Sequence, residues 1–143
     1  MFILVGKWPN VFEMLEKRQA VYLANKKDVD IEYILPGLSL VRNLTTAYIA
    51  KNQIAVRNPV MLADVFNNSV ELPIFSNNFE VVDLAFMQRE DVIDFTQVVD
   101  ESKGIFLYRW GDAPLRYITL ALCANATEIL HRQVLGLSYC HPC

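Results

Sequence analysis

Apolar positions recur along the chain with two spacings, and together they predict helices that alternate with strands. Residues 70–75 form a short apolar run typical of a buried strand. Residues 38–51 and 89–102 instead show the three- and four-residue spacing of amphipathic helices, and a short helix is predicted over 59–66 behind the proline at its start. Strands that alternate with helices favour an α/β fold.

The remaining segments extend this pattern to both ends of the chain. The predicted elements are strands at 2–5, 21–23 and 105–108, extended chain at 81–86, a polar turn at 26–30, and helices from Val11 to about Ala20 and from Leu115 to Cys123. Asp112 suits the N-cap of the last helix, with Pro114 in its first turn. The strand at 105–108 thus leads directly into a turn and a helix.

Composition restricts the classes of protein to which the chain can belong. It has 143 residues, of which 53% are hydrophobic and 20% charged, which is typical of one folded domain. The net charge is −3 and the basic residues are scattered, which argues against nucleic-acid binding. No apolar run approaches the roughly 20 residues of a membrane span, and we expect no targeting segment in this sequence.

Two motifs place chemistry-bearing side chains at the ends of predicted strands. Residues 75–80 read FSNNFE and residues 109–114 read RWGDAP. Glu80 and Asp112 supply carboxylates, while Trp110 supplies an aromatic face and Arg109 a cation. Aromatic faces stack on sugar rings, and charged groups bind hydroxyls or phosphates. The combination predicts a sugar site, although Asp112 is equally explained as a helix cap and a buried Trp110 as core.

Other polar patterns allow alternative sites. Asp28 and Asp30 resemble the Asp-x-Asp pair that holds a divalent cation on a diphosphate, but beside two lysines they also fit a solvated turn. Cys140 and Cys143 form a Cys-x-x-Cys pair that suggests redox chemistry. A zinc site from Cys123, His131, Cys140 and Cys143 is a further alternative.

The two motifs, together with the YCH sequence at 139–141, resemble the signature blocks of fungal Golgi α-1,2-mannosyltransferases, glycosyltransferase family fifteen. The resemblance is strongest over 70–141 and weaker before it. It implies that residues 1–143 form a single glycosyltransferase-like domain. The implied fold is a GT-A-like mixed sheet flanked by helices, partial or reduced.

The resemblance also implies an activity and roles for individual residues. The activity is retaining transfer of mannose from GDP-mannose to a mannose-containing glycan, with Mn²⁺ on the diphosphate. Glu80 and Asp112 are the expected catalytic residues. Glu80 corresponds to the nucleophile or stabiliser of a cationic transition state, and Asp112 to the aspartate at the sugar. His141 corresponds to the metal ligand. The residues expected to bind substrate are Asn78, Arg109 and Trp110.

Three departures from the family pattern accompany this resemblance. Ser76 stands where the family has Trp, Tyr108 where it has Glu, and Arg116 where it has His. Family domains are also longer, and the nucleotide-binding half has no counterpart here. The alternative expectation is therefore a non-catalytic remnant that binds a glycan or a partner.

The location of the protein is likewise expected from the resemblance, which implies the Golgi lumen. Three sequons, which begin at Asn43, Asn67 and Asn125, are consistent with a secretory setting.

Overall fold

A computed structural model describes residues 3–5, 8–31 and 37–140, with the backbone alone at 3–5 and 138–140. The helices are α1 Val11–Lys17, α2 Gly37–Asn52, α3 Pro59–Phe66, α4 Leu84–Met87, α5 Glu90–Ser102, α6 Gly104–Tyr108 and α7 Asp112–Cys123. The strands are β1 Ile3–Val5, β2 Tyr22–Ala24, β3 Lys27–Ile31, β4 Glu71–Phe75, β5 Val81–Val82, β6 Ile129–His131 and β7 Ser138–Cys140. This element order confirms the α/β prediction.

Within the part of the chain that the structure describes, the strands form three small sheets rather than one continuous sheet. The central sheet has the order β5-β2-β6, with β2 antiparallel to β5 and parallel to β6, so it is a mixed sheet. β3 pairs with β4 and β1 pairs with β7, both antiparallel. Helices cover these sheets, as the predicted mixed sheet flanked by helices requires.

Helix α7 is the centre of the core, and most of its residues are buried. Aromatic rings connect it to the sheets: Phe75 of β4 lies 5.0 Å from the ring of Tyr117 in α7 and 6.0 Å from the ring of Tyr22 in β2. Large buried aromatic side chains contribute strongly to the hydrophobic stabilisation of a core. They therefore fix β2, β4 and α7 relative to one another, and these are the elements that surround the candidate site.

A buried arginine organises the connection that leads into β4. The Arg42 side chain, 9% exposed, donates to the backbone carbonyls of Val65, Asn68, Ser69 and Glu71. The backbone carbonyls at the end of α3, in the following loop and at the start of β4 thus share one guanidinium as their donor. The connection has a defined shape that delivers β4 to its pairing with β3.

The predicted polar turn at 26–30 is wrong, because the segment from Lys27 forms strand β3. Its main chain pairs with β4 along five positions, from Lys27 opposite Phe75 to Ile31 opposite Glu71. Local composition favoured a turn, but long-range pairing satisfies the backbone hydrogen bonds of this polar segment.

The predicted buried strand at 105–108 is also wrong, since these residues belong to helix α6. Phe106 is 76% exposed and Leu107 60% exposed, so the run is not buried either. A short apolar run does not by its periodicity distinguish a strand from a helix. Extended chain at 81–86 is correct only through Val82, because Asp83 caps helix α4 by accepting the N–H of Ala85.

Among the described residues, no helix combines the length and the hydrophobicity needed to cross a bilayer.

One ion pair outside the candidate site predicts a pH dependence of stability. Lys27 donates to Asp64 at 2.6 Å and lowers the pKa of that carboxyl below its ordinary value of 3.8, with a smaller contribution from the Tyr117 hydroxyl. A depressed folded-state pKa adds stability above the unfolded-state value, and this stability is lost as the pH falls through the folded-state value. We expect Asp64→Asn to reduce the loss of stability below about pH 4 in urea unfolding.

The matched control for this prediction is Asp100→Asn, which alters an exposed carboxylate paired with Lys103. It should retain the acid dependence of the unaltered chain, because exposed pairs contribute little. If the free energy of unfolding of the Asp64→Asn chain fell with decreasing pH as steeply as that of the unaltered chain, the prediction would be wrong.

Candidate functional site

The segment 76–80, which connects β4 to β5, lies against the first two turns of α7. Asn77 Nδ2 donates to Asp112 Oδ2 at 2.5 Å, and Arg116 Nη2 lies 3.4 Å from Glu80 Oε1. Asp112 and Arg116 are four residues apart in the helix and therefore share one face. These two contacts bring the predicted carboxylates, Glu80 and Asp112, to the same face of α7.

Glu80 is held by donors from two different elements. Its Oε2 accepts the hydroxyl proton of Tyr22 at 2.5 Å, while its Oε1 faces Arg116. The Glu80 side chain remains 23% exposed, so a ligand can reach it. Burial raises the pKa of the Tyr22 phenol well above its ordinary value, and the bond to Glu80 raises it further, so Tyr22 stays a proton donor. The arrangement presents a carboxylate of fixed orientation to the surface.

Asp112 occupies the first residue of α7 rather than the cap. Gly111 is the N-cap, so the predicted cap position is wrong by one residue. Asp112 Oδ1 accepts the N–H of Ala113 at 3.0 Å, and Asp112 is exposed. A carboxylate in the first turn interacts favourably with the helix dipole and can still bind ligand hydroxyls.

Asn78 is anchored through a buried polar relay. Asn25 Nδ2 donates to Asn78 Oδ1 at 2.8 Å, and Arg132 Nε donates to Asn25 Oδ1 at 2.7 Å. Asn25 is 5% exposed and Arg132 9%, whereas Asn78 is exposed. The relay extends from Arg132, directly after β6, past the end of β2, and fixes the middle of the segment 76–80.

Trp110 and Arg109 lie in a turn between two helices, α6 and α7, so the predicted strand-to-helix setting is wrong. Trp110 is 8% exposed, and its indole N–H donates to the carbonyl of Gly37 at 2.8 Å. Its ring lies so close to Gly104 that an added Cβ there would be 2.2 Å from it. Arg109 is exposed and has a positive φ of 54°. Trp110 is thus mainly a core residue, and its contact with substrate stays a prediction.

The predicted metal ligand, His141, lies outside the described residues. Within the described ranges, no three His, Cys, Asp or Glu side chains are grouped to hold a metal ion. Asp28 accepts the N–H of Val29 and lies 3.5 Å from Lys26, and Asp30 lies near Gly111. The described residues therefore do not by themselves fit a Mn²⁺ site.

The thiol of Cys123 is expected to be inert in the folded chain. Cys123 is 3% exposed and its Sγ lies 3.7 Å from the carbonyl oxygen of Asp91. Burial raises the pKa of this thiol from 9.0 to about 12, which lowers the thiolate fraction about 10³-fold. We expect iodoacetamide to label Cys123 only after unfolding, measured by mass spectrometry in a chain with Cys140→Ser and Cys143→Ser. Rapid labelling of the folded chain would contradict this expectation. The zinc and redox alternatives involve Cys140 and Cys143 and stay predictions.

The structure adds functional candidates that the sequence interpretation did not select, namely Tyr22, Asn25, Asn77, Arg116 and Arg132. Arg116 could have been identified from the sequence, because it follows Asp112 by one helical turn and therefore lies on the same face of the helix. Tyr22 had none, because it lies within an apolar strand and its partner is 58 positions away.

Comparison with known proteins shows that the family model for glycolipid 2-alpha-mannosyltransferases matches residues 10–142. The probable mannosyltransferase KTR2 of Saccharomyces cerevisiae is 29% identical over 131 residues, which are 92% of this chain and 28% of KTR2. The probable mannosyltransferase KTR4 of the same yeast is 44% identical over 55 residues, 38% of this chain and 12% of that protein.

Two solved structures share the fold. Core-mannan synthase A from Aspergillus fumigatus, in its Mn/GDP form, superimposes with a TM-score of 0.79 at 26% identity, over 99% of this chain and 39% of that one. The S. cerevisiae mannosyltransferase Ktr4p in complex with GDP gives a TM-score of 0.74 at 25% identity, over 98% and 37%. The GT-A-like fold prediction is confirmed, and the chain spans about two-fifths of these relatives or less.

Proposed function

The chain belongs to the glycolipid 2-alpha-mannosyltransferase family, and from this membership we propose that it transfers mannose from GDP-mannose to an α-mannoside acceptor with retention of configuration. Similarity to mannosyltransferases of yeast supports the transferred sugar, and similarity to structures that contain GDP supports the donor. The observation that carries the proposal is the oriented Glu80 carboxylate beside Asp112 on one face of α7.

In the proposed reaction, Glu80 acts on the anomeric carbon of the donor mannose. The bond from this carbon to the diphosphate oxygen breaks, and GDP leaves with the electron pair. Glu80 either bonds to the carbon or stabilises its positive charge on the opposite face. An acceptor hydroxyl then bonds to the carbon from the side GDP vacated and loses its proton to solvent or to the departed diphosphate. Where Glu80 had bonded to the carbon, that bond breaks in the same step and Glu80 leaves with the electron pair as a carboxylate. The stereochemistry at the carbon is retained.

The other predicted site residues serve binding in this proposal. Asp112 accepts hydrogen bonds from sugar hydroxyls, held in place by Asn77. Asn78 and Arg109, both exposed, offer donors to hydroxyl or phosphate oxygens, and Trp110 contributes the small exposed part of its ring. Mn²⁺ with His141 as a ligand belongs to the proposal as well, supported by the Mn/GDP form of the Aspergillus relative.

A second candidate function is binding of a mannose-containing glycan without transfer. It is supported by the accessibility of the face that carries Glu80 and Asp112, since Asp112 and Asn78 are exposed and the Glu80 side chain is 23% exposed, so a glycan can reach them. Such a module would retain the Glu80–Asp112 face but not bind GDP. We propose the Golgi lumen as the site of action for either function, as the family resemblance implies.

Calorimetric titration of GDP and GDP-mannose, with and without Mn²⁺, tests the proposal. We expect binding that depends on Mn²⁺, is lost in His141→Ala, and persists in His131→Ala, which alters the other histidine of the chain. If neither nucleotide binds under any condition, the chain is not a mannosyltransferase by itself. Titration of mannobiose into the same sample then tests the glycan-binding candidate.

A further inference from the structure

We propose that Tyr22 and Arg116 are positioning residues that hold Glu80 in its reactive orientation. This inference rests on the proposed function, because it assigns to two residues the task of supporting the carboxylate that acts in that reaction. Neither residue was expected to take part from the sequence motifs. Each contacts one of the two oxygens of Glu80, Tyr22 from the central sheet and Arg116 from α7.

Tyr22 provides a rigid donor. It is fully buried, its backbone lies in the middle strand of the sheet β5-β2-β6, and its ring packs 6.0 Å from that of Phe75. A side chain fixed in this way has little freedom, so the hydroxyl defines where Glu80 Oε2 must lie. The 2.5 Å separation between the two oxygens is that of a short O–H···O hydrogen bond.

Arg116 provides a permanent positive charge next to Oε1, the Glu80 oxygen that Tyr22 does not contact. Its Nη2 lies 3.4 Å from Glu80 Oε1, and its Nη1 lies 2.9 Å from the Met87 sulfur. A thioether is a weak acceptor, so the carboxylate is the principal electrostatic partner of this guanidinium. The Arg116 side chain is 25% exposed and the Glu80 side chain 23% exposed. This partial shielding from water strengthens their interaction relative to that of a fully exposed ion pair.

The two contacts together restrict rotation of the Glu80 carboxylate. One donor alone leaves the group free to rotate about the retained bond, whereas two donors from separate rigid elements fix both oxygens. Pre-orientation of a reacting group raises the rate of the chemical step rather than the affinity for substrate. Loss of the hydrogen bond from either Tyr22 or Arg116 should therefore reduce kcat and leave the KM for GDP-mannose nearly unchanged.

The test in the transfer assay compares Arg116→Gln, Arg116→Lys and Tyr22→Phe with the unaltered chain. We expect kcat to fall roughly 10²-fold in Arg116→Gln and in Tyr22→Phe, with partial recovery in Arg116→Lys, which retains the charge. Adding Arg116→Gln to Glu80→Gln should cause no further loss, because the residue acts through Glu80. An equal loss in both backgrounds, or a change in KM alone, would overturn the inference.

A second measurement does not depend on activity. In a chain labelled with ¹³C at glutamate carboxyl groups, the Glu80 resonance is assigned by its disappearance in Glu80→Gln. We expect it to shift in Arg116→Gln and Tyr22→Phe but not in Arg18→Gln, which alters an exposed arginine. An unmoved resonance overturns the positioning role whether or not the chain transfers mannose. A shifted resonance in an inactive chain instead supports the positioning role and counts against the proposed function.

Discussion

Glu80→Gln is expected to lower the rate constant for mannose transfer by roughly 10⁴-fold, the order observed when one member of a catalytic set is removed. The amide has the shape of the carboxylate but neither its charge nor its nucleophilicity. It can still accept the Tyr22 hydroxyl proton, so the packing around it should survive. Initial rates of mannose transfer at saturating GDP-mannose measure the effect.

Glu90→Gln is the control for this prediction, because it makes the same chemical change at an exposed residue of α5. It should transfer mannose at the unaltered rate. Near-ultraviolet circular dichroism of both variants separates loss of chemistry from loss of structure. If the Glu80→Gln chain retains more than about a tenth of the rate, Glu80 is not the catalytic carboxylate, since loss of even one stabilising contact costs about 10²-fold.

Trp110→Ala is expected to reduce the free energy of unfolding by about 3–5 kcal/mol, as for other large-to-small changes of buried aromatic residues. The ring is 8% exposed and lies directly over Gly104, and its N–H satisfies the carbonyl of Gly37. Truncation therefore leaves both a cavity and an unpaired buried acceptor. Urea unfolding followed by circular dichroism measures the change.

Two companion variants separate the contributions to this effect. Trp110→Phe keeps much of the ring volume but loses the bond to Gly37, and should cost about 1–3 kcal/mol. Trp8→Ala changes the other tryptophan, which is partly exposed and packs edge-on to Phe79 at 5.2 Å, and should cost less than Trp110→Ala. A stable Trp110→Ala chain with weakened glycan binding would instead mean that Trp110 serves mainly the ligand.

Elements with sustained periodicity were predicted well from the sequence. The helices found at Gly37–Asn52, Pro59–Phe66 and Glu90–Ser102 lie within two residues of the predicted ranges. Each has several apolar positions on one face, and Pro59 fixes the start of the second. In these segments the local pattern and the buried face agree, so local information was sufficient.

Prediction failed where local preference and tertiary context differ. The residues of β3 are polar and read as a turn, yet pairing with β4 makes them a strand. The apolar residues of α6 read as a buried strand, yet they form a short exposed helix whose start at Gly104 is fixed by the Trp110 ring. The β3 outcome depends on a partner remote in sequence, which a window of neighbouring residues does not contain. The α6 outcome depends on packing that the periodicity of a short apolar run does not encode.

The sequence by itself determined the periodic helices, the strand β4 and the two motifs whose resemblance indicated the family, because each is encoded in contiguous residues. Only the tertiary structure decided which groups hold those motifs in place. Tyr22 and Glu80 are 58 positions apart, and Arg132 and Asn25 are 107 apart. A hydrogen bond needs donor and acceptor within about 3 Å, and such proximity between distant residues exists only after the chain has folded.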